Sequence, residues 1–134
     1  MLNSTRSGNE RYLAPEQTMP NLTDKEMKTK DAIYGVPTRF ISSSNRPTTQ
    51  TDLFSFAMLC IELYTGDNPF QGVQNGSVTR EIMHGKRPAL PKEIAGQRLL
   101  SARIERCWRQ NPGEREDAGR LLDDMRRIAT YDRV

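Results

Sequence analysis

Thr49-Gln50-Thr51-Asp52-Leu53-Phe54-Ser55-Phe56-Ala57-Met58-Leu59-Cys60-Ile61-Glu62-Leu63-Tyr64-Thr65-Gly66 decides the fold. From Leu53 to Tyr64 only Ser55 and Glu62 interrupt the apolar run, so a helix here has almost no polar stripe. A helix apolar on every side is either a membrane span or the centre of a soluble core. This run is shorter than the ~20 residues a bilayer requires, so it reads as a core helix. Thr49 or Thr51 suits its N-cap, and Asp52 falls in the first turn, where a negative charge favours the helix dipole. Gly66 suits a left-handed stop, and Pro69 prevents continuation.

The other elements should pack around this rod. The chain has 134 residues, enough for one modest domain. Hydrophobic residues make up 35% and charged residues 28%, which implies a thin core and a wet surface. The net charge of +3 is spread out, without the basic stripe or aromatic ladder of a nucleic-acid binder. Met1-Leu2-Asn3-Ser4-Thr5 lacks the apolar run of a signal peptide. Cys60 and Cys107 both lie in apolar helical patterns and read as buried thiols in a cytoplasmic or other intracellular reducing compartment. A single histidine, His84, excludes most histidine-based metal sites.

Residues 1–10 read as a loop or frayed end. Pro15 can open a short helix as a first-turn residue. From 18 to 50 the composition turns polar, with alternating Lys and Asp/Glu, then Gly35, Pro37, Ser42-Ser43-Ser44 and Pro47. Thr23 with Glu26 fits a capping box for a short helix from Asp24 to Tyr34. The remainder reads as a long exposed loop, either disordered or functional. Phe70 should plug back onto the core. Ser77 to His84 reads as a helix capped by Asn75 or Ser77 and closed by Gly85, and Lys86 to Pro91 as extended chain. Gly96 to Gln110 reads as one long helix with Leu99, Leu100, Ile104, Cys107 and Trp108 on its apolar face. A last helix from about Asp117 to Ala129 carries Leu121, Leu122, Met125 and Ile128. No segment reads as a strand. The expectation is an all-α fold with a central buried helix and four or so surrounding helices.

These segments, in this order, resemble the eukaryotic protein kinase family. Arg11-Tyr12-Leu13-Ala14-Pro15-Glu16 resembles the end of the activation segment. Asp52-Leu53-Phe54-Ser55-Phe56-Ala57 resembles the start of the family's central helix, and Glu62-Leu63-Tyr64-Thr65-Gly66 with Asn68-Pro69-Phe70 its exit. Arg87-Pro88 with Pro91, and Cys107-Trp108 with Asn111-Pro112 and Arg115, complete the series. The pattern is similar to the tyrosine-kinase-like and tyrosine-kinase branches, and Arg11-Tyr12 leans to the serine/threonine-type members.

The resemblance implies the C-terminal half of the helical lobe of a kinase domain. Residues 1–10 would be an activation-segment remnant and 11–130 a partial kinase domain. Within it, 18–50 would be an insertion, roughly twenty residues beyond the family's usual spacing and cheap in closure entropy. The chain has no glycine-rich phosphate loop, strand lysine, catalytic His-Arg-Asp loop or Asp-Phe-Gly metal site. It is therefore expected to bind no cofactor and to be inactive by itself, ATP and Mg²⁺ belonging to the parent family. A non-catalytic, kinase-derived interaction module is the alternative.

Residue by residue, the resemblance implies a buried ion pair between Glu16 and Arg115. Gly8, Asn9 and Arg11 match a loop that receives substrate, Asn9 standing where a threonine is usual. Ser4, Thr5 and Ser7 fall where relatives are phosphorylated, and read here as solvated hydroxyls. Asp52 would only cap the central helix, because the catalytic loop it bonds in relatives is not in this sequence. One flank of that helix should be bare. The expected partner is the other kinase half or another protein on that apolar flank, with neither nucleic acid nor membrane involved.

Overall fold

The computed structural model describes residues 10–19, 23–41 and 47–131. Its helices are α1 (Pro15–Thr18), α2 (Asp24–Thr29), α3 (Thr49–Thr65), α4 (Asn75–Met83), α5 (Lys92–Ala95), α6 (Arg98–Cys107) and α7 (Ala118–Tyr131). The fold is helical, and its centre is α3.

Phe54, Ala57 and Met58 of α3 have no exposed surface, and Leu53, Cys60 and Ile61 are also buried. They pack with Val78 and Ile82 of α4, Ile94 of α5, Leu100, Ile104 and Cys107 of α6, and Leu121 of α7. Helix α6 lies against α3, and α5 and α7 lie against α6. Each of these helices contributes one apolar face, and burying a Leu- or Ile-sized side chain is worth about 1.5–3 kcal/mol.

The N-cap of α3 is Thr48, one residue ahead of the positions expected from sequence. Thr48 Oγ1 accepts from the Thr51 amide at 3.2 Å, and the Thr48 amide donates to Thr51 Oγ1 at 2.7 Å. Thr51 is thus the reciprocal partner three residues on, which leaves Thr48 as the cap. Gly66 ends the helix at φ 75°, its amide donating to the Glu62 carbonyl at 2.8 Å.

Several sequence expectations are corrected. The helix expected over Gly96 to Gln110 is shorter, Arg98–Cys107, and a separate short helix that was not expected, Lys92–Ala95, precedes it across Gly96 and Gln97. Gln97 has φ −105° and ψ 95°, which is extended backbone. The break resets the helical phase, so that Ile94 and Leu100 both face the core while Leu99 is 37% exposed. Leu122, assigned to the stripe of α7, points outward at 52% exposure. Helix α4 begins at Asn75, earlier than expected, and neither Asn75 nor Ser77 caps it; Gln74 stands at the N-cap without a side-chain bond.

Residues 32–37 form a short hairpin where no strand was expected. β1 (Ala32–Ile33) pairs antiparallel with β2 (Val36–Pro37). Tyr34 (φ 50°) and Gly35 (φ 79°) make the turn, both in the left-handed region that a tight two-residue hairpin demands. A 3-10 turn follows at Thr38–Phe40. Met19, Val36 and Ile41 form a small separate core, against which Ile33, Phe40 and Met83 pack. The capping box expected at Glu26, and residues 20–22 and 42–46 of the segment, lie outside the described side chains.

Candidate functional site

The chemistry-bearing side chains gather where α1, the start of α3 and the turn after α6 meet. Glu16 sits in the first turn of α1, opened by Pro15. Arg115 ends the 3-10 turn at Pro112–Glu114. Arg115 Nη1 donates to Glu16 Oε2 at 2.7 Å and Nη2 to Glu16 Oε1 at 2.9 Å, a two-pronged ion pair between residues 99 apart in sequence. Both side chains are out of solvent, at 0% and 5% exposure. The guanidinium also donates to the Gln50 carbonyl at 2.9 Å and, through Nε, to the Arg109 carbonyl at 2.8 Å. A buried pair of this kind holds only when its remaining hydrogen-bonding groups are also satisfied.

Phe54 forms the wall beside this pair. The Arg115 guanidinium carbon lies 5.2 Å from the ring centroid and that of Arg87 5.0 Å. The aromatic ring thus borders two cations that burial would otherwise disfavour. Arg87 donates through Nε to the Trp108 carbonyl at 2.8 Å and through Nη2 to Gln110 Oε1 at 2.7 Å. Burial first, and then the neighbouring Arg115, pull its pKa down to about 10, so it stays charged at neutral pH.

A second network flanks the first. Glu116 accepts from Arg103 Nη1 at 2.6 Å, and Arg103 Nε lies 2.6 Å from Asp124. Burial would raise the Glu116 pKa; the bonds from Arg103 and from the Asp117 amide, with the charges of Arg103 and Arg106, hold it below its usual range. Arg103 and Glu116 escaped the sequence reading, and Arg87 entered it only as part of the kinase-like Arg87-Pro88 block. Arg103 carries only the signal of an arginine on an amphipathic helix, which ordinary surface residues share.

Arg11 turns inward. Nη1 donates to the carbonyls of Pro69 and Phe70 at 2.7 and 2.8 Å, and Nη2 to the Val73 carbonyl and Asn75 Oδ1 at 2.6 and 2.9 Å. Those bonds engage most of the five donors of a guanidinium. They hold the loop in which Phe70 adopts φ 60°, a costly angle for an aromatic residue. Tyr12 OH donates to Glu62 Oε2 at 2.7 Å, and Ser55 Oγ donates to the Tyr12 carbonyl at 2.7 Å. Burial, then the bond and charge of Glu62, push the Tyr12 phenol up to about 12. The segment 11–16 is therefore pinned to α3 and to the loop after it. Gly8 and Asn9, with Ser4, Thr5 and Ser7, lie outside the described residues. Asp52 is exposed in the first turn of α3, apart from the Glu16–Arg115 cluster.

The description "Protein tyrosine and serine/threonine kinase" belongs to the family model that matches residues 13–125. The chain belongs to this kinase family. It is 33% identical over 75 residues to "Probable serine/threonine-protein kinase gdt2" of Dictyostelium discoideum, covering 56% of this chain and 5% of that protein. It is 40% identical over 67 residues to "Light-sensor Protein kinase" of Ceratodon purpureus, covering 49% of this chain and 5% of that one. A Dictyostelium discoideum protein named "Probable inactive serine/threonine-protein kinase" is 33% identical over 75 residues, covering 56% of this chain and 4% of its own length. The chain thus spans about a twentieth of the length of such relatives.

Kinases of this family transfer phosphoryl groups from ATP with Mg²⁺. Among the described residues no group of three His, Cys, Asp or Glu side chains could hold a metal ion. The carboxylates nearest the cluster, Glu16 and Glu116, are taken by Arg115 and Arg103. Among the described residues no helix is long and apolar enough to cross a membrane.

Proposed function

We propose that this chain supplies the substrate platform and helical core of a protein kinase domain. The parent reaction would be ATP-dependent phosphorylation of protein Ser/Thr or Tyr hydroxyls, and the ATP-binding and catalytic loops would come from another half. That half would seat on the outer face of α3. The observation that carries this reading is the exposure of α3, the central helix of the unit. Leu59 is 44%, Leu63 73% and Tyr64 40% exposed. Leu59 and Leu63 stand one helical turn apart and share a face. Adjacent apolar side chains left in water on a core helix mark an interface. Two buried free thiols, Cys60 and Cys107, support an intracellular reducing compartment.

The test has two arms. Melted alone with nucleotide and magnesium, the chain should show no stabilisation, and a clear magnesium-dependent rise in Tm would overturn the reading. Fused behind the glycine-loop to Asp-Phe-Gly portion of the light-sensor kinase, it should give a phosphotransferase that Leu63→Asp weakens.

The non-catalytic interaction module is the second reading. It is favoured by the inward engagement of Arg11, which withdraws that side chain from substrate, and by the relative named as inactive. A fusion that folds and binds nucleotide yet transfers no phosphate would support it.

A further inference from the structure

A polar cleft of about 460 Å³ opens beside the Glu16–Arg115 pair, with Arg106, Arg115, Arg120 and the Pro112–Gly113 turn in its lining. Arg115 has four of its five donors engaged and offers the cleft mainly charge. Arg106 and Arg120 differ. Among the described residues neither guanidinium makes a hydrogen bond; Arg106 keeps only a long ion pair, its buried Nε lying 3.9 Å from Glu116 Oε2. A third arginine comes from the segment inserted between α1 and α3. Arg39 stacks over Phe40 at 4.8 Å, and a methyl placed on Gly113 would sit 3.6 Å from Arg39 Nη2.

Three of the four carboxylate oxygens of the same wall, those of Glu116 and Asp117 Oδ1, are already engaged. Glu116 Oε2 takes Arg103, Glu116 Oε1 accepts from the Asp117 amide at 3.1 Å, and Asp117 Oδ1 accepts from the Gly119 and Arg120 amides at 2.7 and 3.1 Å. What the cleft offers a ligand is therefore donors.

We propose that this cleft binds a phosphate monoester between Arg106 and Arg120, with Arg39 at its rim. Two separate guanidinium forks call for an acceptor with at least three oxygens, and a carboxylate satisfies only one fork. Among the described residues the only ring near the cleft is Phe40 at the Gly113 rim, and Arg39 stacks over it, so no row of stacking platforms for a nucleic-acid strand is present. A small-molecule phosphate ester and a phosphorylated side chain of a polypeptide present this same group, and the test separates the two.

The test is an amide chemical-shift titration of the isotope-labelled chain at roughly physiological salt, with phenyl phosphate, phenylacetate and a phosphoserine peptide. Phenyl phosphate should give saturable shifts at Gly113, Gly119 and Arg120. Arg106→Gln or Arg120→Gln should weaken it about tenfold each, and Arg39→Gln by about threefold. Arg127→Gln, on α7 but outside the cleft, should leave it unchanged. These side chains have no internal hydrogen bonds to lose, and far-ultraviolet circular dichroism checks that the variants fold. A peptide that binds more tightly than phenyl phosphate identifies a polypeptide source, and equal binding a small molecule. Absence of saturation, equal weakening by Arg127→Gln, or phenylacetate binding as tightly as the phosphate would overturn the proposal.

Discussion

The two arginine–carboxylate networks of this chain do different work. Glu16–Arg115 joins groups 99 residues apart, with both side chains in the dry interior. Arg103–Glu116 joins groups 13 residues apart, and Arg103 keeps 26% of its side chain in solvent. The first closes the chain on itself, tying α1 to the turn after α6. The second fixes the approach of α7 to α6, two neighbours that a short connection already holds together. Coulomb attraction is screened least where water is excluded, so the long-range clamp is also the one whose rupture strands a charge.

That contrast should show first in Arg115→Met. The substitution keeps bulk but leaves Glu16 buried and unpaired, and should cost about 3–5 kcal/mol in urea unfolding. The double variant Glu16→Leu/Arg115→Met should recover much of that loss, because no charge is then stranded. If the double variant is as damaged as the single one, the clamp acts through its hydrogen bonds to the Gln50 and Arg109 carbonyls rather than through the pair.

Glu116→Gln should cost less, about 1–2 kcal/mol, because the half-open Arg103 is shared with Asp124 and screened by water. Its signature lies in pH. The Glu116 pKa is depressed in the folded state, so its contribution is present above the ordinary carboxylate pKa. It fades as pH falls from that value, about 4.3, through the lower folded one. Stability measured against pH should therefore decline less steeply below about pH 4 in Glu116→Gln than in the parent chain. An unchanged slope would place the acid sensitivity in other carboxylates.

Leu63→Asp should be the mildest, within about 0.5 kcal/mol for unfolding of the chain alone, since this side chain is already 73% exposed. Self-association measured by light scattering should fall with the same change. A large loss of stability would mean that the outer face of α3 is used internally.

The parts of this fold that sequence reveals are those fixed by neighbours in the chain. The apolar run from Leu53 to Tyr64 locates α3, and Gly66 locates its end, because both signals are local. The kinase blocks and the model match over 13–125 agree for the same reason. The short helix α5 was not legible. It depends on Ile94 and Leu100 seeking the same core from two directions, and only tertiary packing poses that demand. Leu99 and Leu122 were misplaced because a helical stripe fixes spacing but not which edge faces inward. Among the site residues, a family pattern pointed to Glu16 and Arg115 as a pair; it also included Arg87, but what that side chain does comes only from Phe54, Trp108 and Gln110, which folding brings beside it.

Gln110 carries one more consequence. Its Nε2 donates to the Tyr34 carbonyl at 3.0 Å and to the Met83 carbonyl at 2.9 Å, while its Oε1 accepts from Arg87. The hairpin is thereby fastened to the same amide that steadies the end of α4. Excising the segment between α1 and α3 would unlatch this amide and strip cover from Met83. Any protein engineer shortening the loop would have to redress that spot, and a homologue without the extra segment must solve it with a different side chain.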